Sequence, residues 1–181
     1  MFDYLAGVLG LGYFLSISIA TRQHFESKSY PVGMYVISAL SLVGLATFLW
    51  FAFRNSLVFT GLSLALILAA QILFVWAIRH SRKARLTLAL DDQMQSETII
   101  KTGPWRYMRH PFYASYMIFW LACALAAQNL ISVIVFLTLS GIYTYSALRE
   151  ERALSSGPLR HDYIAYRDTV GFFYPRLPLR S

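Results

Sequence analysis

The sequence predicts an all-α integral membrane protein with about five transmembrane helices. Of its 181 residues, 57% are hydrophobic and only 14% are charged, and the apolar residues fall in long runs. Runs of about 18 or more apolar residues are typical of transmembrane helices. A soluble helical bundle would instead show an apolar stripe on one face of each helix. The third observation is that the basic residues are concentrated in alternate connections between the runs.

Five apolar segments have the length of a span, about 17 to 22 residues, which crosses a hydrocarbon core of roughly 30 Å. They are residues 2–20, 33–53, 58–79, 111–127 and 130–148. Pro111 opens the fourth segment, where the missing backbone N–H of a proline costs little. Only Gln128 and Asn129 connect the last two segments, so we expect these two to form an antiparallel helical hairpin.

The distribution of basic residues predicts an orientation. All 16 lysines and arginines except Arg54 lie at the end of, or after, the first, third or fifth segment. Since basic loops remain in the cytoplasm, we expect the N-terminus outside and the C-terminus in the cytoplasm, in an inner or plasma membrane. The net charge of +7 then serves topology and contact with anionic membrane lipid. We expect no nucleic-acid partner.

Two regions, 82–110 and the tail from 149, are too polar for the membrane, and all belong to one domain of residues 1–181. Residues 98–101 have a β-like pattern, and a turn is expected at 102–104. The fifth helix should continue to Ser156 and stop at Gly157, and a short helix should follow at 162–168. The only cysteine, Cys123, lies in the fourth segment and has no disulfide partner in the chain. We expect no metal site.

Reactive side chains are concentrated on the cytoplasmic side, in residues 103–113 (GPWRYMRHPFY) and 149–151 (REE). The hairpin should bring the two clusters together, so that His110, Tyr113 and Glu150 lie close despite their separation along the chain. Basic and aromatic residues taken singly are ordinary at a membrane interface. Acids at membrane depth are usually paired and often functional.

Residues 97–113, ETIIKTGPWRYMRHPFY, resemble the signature of the isoprenylcysteine carboxyl methyltransferase family and its prokaryotic relatives. That signature is an apolar pair, a Ser/Thr-Gly turn, an aromatic residue, and then Arg-His-Pro-x-Tyr. The family's second motif, Glu-Glu-x-x-Leu, is similar to residues 150–154. Its closing Tyr-x-x-Tyr is similar to residues 163–166, which precede Pro175. The resemblance covers about the last half of the chain.

The resemblance implies S-adenosylmethionine-dependent methyl transfer, with the cofactor held on the cytoplasmic side by residues 90–113 and 146–176. A carboxylate suits an ammonium group or a ribose diol, and aromatic rings suit an adenine or a sulfonium charge. The residues that the resemblance places at the cofactor are Glu97, Thr98, Ile99, Ile100, Trp105, His110, Pro111, Phe112, Tyr113 and Glu150. We further predict that Arg109 and Arg149 are catalytic residues.

One departure from the family concerns the methyl acceptor. In the eukaryotic enzymes an arginine four residues before the first glutamate meets the substrate carboxylate, and Ser146 occupies that position here. We therefore expect Ser146 at the substrate site and a small lipophilic acceptor from the bilayer that is not a prenylcysteine. The sequence leaves the oligomeric state open.

Three other functions compete with this hypothesis. A phospholipid N-methyltransferase also uses a late glutamate pair, although its glycine-flanked cofactor motif is not found here. A sterol-type or polyprenyl membrane reductase would bind NADPH instead. A non-catalytic lipid or partner binder would need neither the His-Pro-x-Tyr turn nor the glutamate pair.

Overall fold

The computed structural model describes residues 1–23, 25–26, 32–81, 86–87 and 99–176. Within these residues the chain forms six α-helices, one 3₁₀ helix and two very short strands. The α-helices are α1 (Phe2–Gln23), α2 (Val32–Phe53), α3 (Thr60–Ser81), α4 (Pro111–Ala127), α5 (Leu130–Ser156) and α6 (Arg160–Thr169). The strands β1 (Phe25–Glu26) and β2 (Leu86–Thr87) pair in parallel, and the 3₁₀ helix is Gly103–Arg106.

The predicted membrane character is confirmed by the helices themselves. In the described residues, α1, α2, α3 and α5 are each long and apolar enough to cross a membrane, and the apolar helix α4 is shorter, with 17 residues. These helices make the chain an integral membrane protein. The five predicted segments each fall within one of these helices, apart from the first two residues of 58–79, which precede α3.

Helix α4 lies in the centre of the bundle. It packs against α2, α3 and α5, and Tyr13 of α1 donates a hydrogen bond to its Ser115 (3.1 Å). Its side chains are apolar on every face, as expected for a helix that is surrounded by other helices. Nearly all of them are buried: Pro111, Phe112, Tyr113, Ala114, Ser115, Tyr116, Phe119, Trp120, Ala122, Cys123, Ala124, Ala126 and Ala127.

A small residue allows α2 to approach this central helix closely. A Cβ atom on Gly44 would lie 2.8 Å from the ring of Trp120 in α4 and 2.8 Å from Val135 in α5. Inside a membrane, helices associate largely through such close packing, because lipid is as apolar as the side chains. Gly44 therefore marks the point where three helices meet.

The two ends of the α4–α5 connection are fixed by local hydrogen bonds. Gln128 ends α4 in the left-handed conformation (φ 43°) and its N–H donates to the carbonyl of Ala124 (3.0 Å). Asn129 then begins α5 by accepting a hydrogen bond from the N–H of Ser132 (3.0 Å). The chain thus ends one helix and starts the next within two residues.

The tail follows the sequence prediction. Helix α5 ends at Ser156 with Gly157 after it, and α6 packs against α5 and buries Tyr163 and Tyr166 on one face. The short helix expected at 162–168 is therefore confirmed. In the structure it begins two residues earlier and ends one residue later.

The β-like pattern at 98–101 predicted a strand. This prediction was wrong for residues 99–101, the part that the structure describes. Residues 99–101 are irregular. Ile99 packs against Tyr163, Tyr166 and Val170, whereas Ile100 packs against the main core. Both isoleucines of the β-like pattern are apolar because these successive side chains enter two different apolar clusters.

The 3₁₀ helix that precedes α4 depends on a glycine. Gly103 has φ +60°, and a Cβ atom there would lie 2.3 Å from the ring of His80 at the end of α3. The imidazole Nδ1 of His80 lies 3.0 Å from the carbonyl oxygen of Trp76, so displacing the ring would also disturb this contact.

We expect Gly103→Ala to lower the free energy of unfolding by about 1–2 kcal/mol, because alanine is disfavoured at positive φ. Gly141→Ala is the matched control, since nothing lies within 4 Å of a Cβ at this helical glycine. It should raise stability by about 0.5–1 kcal/mol. Thermal unfolding in detergent measures both, and equal effects of the two substitutions would contradict the role of Gly103.

Candidate functional site

The functional site is built around His110, the residue immediately before α4. Its side chain is buried, and both ring nitrogens face carboxylates of α5. Nδ1 lies 3.6 Å from Oε2 of Glu150, and Nε2 lies 3.2 Å from Oε1 of Glu151. Consecutive residues of an α-helix point about 100° apart, so the two glutamates reach opposite edges of the same imidazole.

This arrangement favours the charged form of the ring. Burial lowers the pKa of His110, but hydrogen bonds and charge attraction from Glu150 and Glu151 outweigh burial and raise the pKa above its ordinary value of 6.5. Only an imidazolium can donate a proton from both nitrogens at once. His110 therefore lies between two acids that favour its protonated form.

Glu151 is held by two protein groups. Its Oε1 accepts a hydrogen bond from Nε of Arg109 (2.6 Å) in addition to the contact with His110, and its side chain is 13% exposed. Ion pairs of this kind, with a guanidinium on a carboxylate, are among the stronger hydrogen bonds of proteins. Glu151 thus has a structural partner on each side.

Glu150 is the more open of the two acids. Tyr113, in the first turn of α4, donates its hydroxyl to Oε1 of Glu150, and the contact with His110 is longer than that of Glu151. The side chain of Glu150 is 29% exposed. It is the carboxylate of this cluster that a ligand can reach.

Aromatic rings surround these charges. The ring of His110 lies 4.9 Å from Phe172 and 6.0 Å from Phe173, both in an edge-to-face arrangement. Tyr113 stacks on Tyr143 of α5 with ring centroids 5.7 Å apart. The site therefore combines one accessible carboxylate with π-surfaces that suit a planar or cationic ligand.

The C-terminal tail forms one wall of the site through backbone contacts. The hydroxyl of Tyr166 donates to the carbonyl of Trp105 (2.7 Å). Met108 and Gly171 form a parallel β-bridge, which places the two phenylalanines that follow Gly171 against His110.

The predicted site residues are distributed as follows. The structure brings His110, Tyr113 and Glu150 together. Trp105, Pro111 and Phe112 are buried beside them, and the ring of Trp105 meets that of Phe112 edge to face at 5.6 Å. Ile99 and Ile100 are half-buried. Glu97 and Thr98 lie outside the described residues.

The remaining predictions concern α5. Ser146 is completely buried, and within the part of the chain that the structure describes its hydroxyl has no hydrogen-bond partner. Arg149 is half-buried, directly before the glutamates, whereas Arg109 lies on Glu151. In the described part of the chain, no group of three or more His, Cys, Asp or Glu side chains is arranged to hold a metal ion.

Three residues of the site were missed by the sequence prediction. Glu151 was quoted in the motif but given no role, and its position beside Glu150 was the signal for it. Phe172 and Phe173 belong to no motif that was recognised in the sequence. The only signal for them was their position within residues 146–176, which were expected to hold the cofactor.

Taken together, the fold and the site define a helical membrane protein with an acidic, aromatic-lined site where α4, α5 and the tail meet. The model of the isoprenylcysteine carboxyl methyltransferase (ICMT) family matches residues 63–156. This is more than half of the chain, and the chain belongs to that family. The matched range contains both His110 and the two glutamates. Comparisons with curated proteins and with solved structures gave no match.

Membership of this family confirms the resemblance seen in the sequence and assigns the chain to the membrane methyltransferases. The matched range begins in α3 and ends with α5, so α1, α2 and the tail after Ser156 lie outside it. The contacts of the tail with His110 are therefore information that only the structure supplies.

The raised pKa of His110 predicts a pH dependence. A group with a higher pKa in the folded than in the unfolded chain stabilises the fold fully below its unfolded pKa and loses that effect as the pH rises through the folded value. We therefore expect the melting temperature in detergent to fall as the pH rises above 6.5. His110→Gln should remove this component, and an unchanged pH profile in that variant would contradict the role of His110.

Proposed function

We propose that the protein is an S-adenosylmethionine-dependent methyltransferase that methylates a small lipophilic acceptor taken from the bilayer. The single observation that carries the proposal is the exposure of Glu150 (29%) in a cluster whose other charged groups are only 6–13% exposed. An acid that is hydrogen-bonded on one side and open on the other is suited to bind a polar ligand.

The chemistry of these side chains fits the proposed cofactor. Glu150 offers a carboxylate to an ammonium group or a ribose diol, and Tyr113 fixes the orientation of this carboxylate. Phe172 and Phe173 offer ring faces and edges to an adenine. In this proposal Trp105, Pro111 and Phe112 shape the apolar floor beneath them.

When bound, S-adenosylmethionine supplies an electrophilic methyl group. The task of the protein is alignment of the acceptor in line with that group, which by itself contributes a large part of the rate of a transfer reaction. His110 keeps the two glutamates in place and balances their charge. The two phenylalanines of the tail exclude water from the site.

The acceptor side of the proposal rests on Ser146, one helical turn before Glu150 on the same face of α5. Its buried hydroxyl has no hydrogen-bond partner among the described residues, and such a group costs free energy until something satisfies it. A polar atom of the acceptor would provide that partner. A hydroxyl carries no charge, which favours an acceptor without a free carboxylate.

The proposal includes an orientation. The site lies at the start of α4 and near the C-terminal end of α5, next to the basic tail. Basic segments face the cytoplasm. We infer that α4 also crosses the membrane, which gives five spans in total, and that it forms a hairpin with α5. The N-terminus then lies outside, and the site faces the cytoplasm of a plasma or inner membrane. The acceptor then enters from the bilayer, whereas the cofactor enters from water.

We expect the purified protein in detergent to bind S-adenosylhomocysteine in calorimetry. Glu150→Ala should abolish binding because it removes the accessible carboxylate, and His110→Ala should do so because it leaves two acids unbalanced. Asp162→Ala, which removes an exposed acid of α6, is the control and should leave affinity unchanged. Binding of NADPH without any response to S-adenosylhomocysteine would overturn the proposal in favour of a reductase.

Incubation of membrane lipid extracts with labelled S-adenosylmethionine identifies the acceptor. With that acceptor, we expect Ser146→Arg to lower turnover on the order of tenfold or more, because it places a large cation in a fully buried position. Tyr145→Arg, on the exposed side of the same helix, is the control for the added charge. If Ser146→Arg creates methylation of a prenylcysteine carboxylate, the acceptor site is closer to that of the eukaryotic enzymes than we propose.

A further inference from the structure

The side chain of Arg109 joins three parts of the chain. Its Nε donates to Glu151 of α5 at 2.6 Å. Its Nη1 donates to the carbonyl oxygen of Arg167 at 3.1 Å and also to that of Val170. The side chain is only 12% exposed, so these contacts are made largely away from water.

Two of these acceptors belong to the end of α6. The last carbonyl groups of an α-helix have no partner within the helix and carry partial negative charge. Arg167 lies in the last turn of α6 and Val170 directly follows it. The guanidinium of Arg109 therefore satisfies and neutralises the end of this helix.

The backbone around Arg109 binds the same segment. Its N–H donates to the carbonyl of Gly171 (2.8 Å), and the carbonyl of Tyr107 accepts from the N–H groups of Gly171 (3.2 Å) and Arg176 (2.9 Å). The guanidinium also lies 5.4 Å from the ring centroid of Phe172. Side chain and main chain thus both hold residues 160–176, the C-terminal segment, through its part from Arg167 to Arg176.

We propose that Arg109 is a positioning residue that, together with Glu151, holds the C-terminal segment against His110. Arginine is required because its planar guanidinium donates in several fixed directions at once, whereas the ammonium of lysine is a single point. Glu151 fixes the guanidinium from the side of α5. Without this pair, only the main-chain hydrogen bonds of this segment keep Phe172 and Phe173 on the imidazole.

The consequence for cofactor exchange rests on the proposed function. If Phe172 and Phe173 cover the bound cofactor, release of the C-terminal segment opens its route to water. Weakening the contacts that Arg109 makes with the C-terminal segment should then increase the dissociation rate of S-adenosylhomocysteine by a larger factor than it lowers the association rate.

Hydrogen–deuterium exchange of the cofactor-free protein tests the proposal directly. We expect Arg109→Lys to accelerate exchange of the backbone amides in residues 170–176 by about tenfold or more, the effect of losing one charge-assisted hydrogen bond. Arg106→Lys, the same change at an exposed arginine three residues earlier, is the control and should leave exchange in that segment as it is.

A second variant separates positioning from loss of the fold. Glu151→Gln keeps the shape of the side chain but removes its charge, and it should also accelerate exchange in residues 170–176 while amides of α4 stay protected. Exchange of the C-terminal segment at the wild-type rate in both variants would overturn the proposal. Faster exchange in a protein that does not bind S-adenosylhomocysteine would uphold the role of Arg109 and overturn the proposed function alone.

Discussion

The site depends on one electrostatic constraint, namely that the imidazole of His110 lies between two glutamates at the end of an apolar helix bundle. Removing one partner from a buried ion pair typically costs about 3–5 kcal/mol, because the other charge remains without compensation. His110, Glu150 and Glu151 therefore have to stay together. The two-residue connection between α4 and α5 makes this possible, because it sets the register in which His110 meets the glutamates.

The charge balance at this site explains why the tail belongs to it. One imidazole, even when protonated, balances only one of the two carboxylates, and Arg109 supplies a further positive charge on Glu151. Once the guanidinium lies on Glu151, its remaining N–H groups need acceptors, and the carbonyls at the end of α6 provide them. The docking of the C-terminal segment thus follows from the requirement to neutralise a pair of acids.

The sequence predicted the helices well, because a long apolar run has few alternatives to a membrane helix. It also predicted the proximity of His110, Tyr113 and Glu150, since a connection as short as Gln128-Asn129 allows only one arrangement. It did not distinguish the roles of Glu150 and Glu151. Those roles depend on the rotation of α5 about its axis, and two adjacent acids are equivalent in composition and hydropathy.

The roles of the basic residues also depend on side-chain placement, which a count of charges does not give. Arg109 contributes to the predicted orientation as one cation among many, yet in the structure its charge is cancelled by Glu151. The proposed orientation rests on the exposed arginines of the tail, such as Arg152 and Arg160, and does not need one whose charge is paired. An arginine that is mostly shielded from water, paired and shared among three segments has a role that topology does not explain. For that reason the pairing of Arg109 with Glu151, rather than the number of positive charges near it, points to a function in the site.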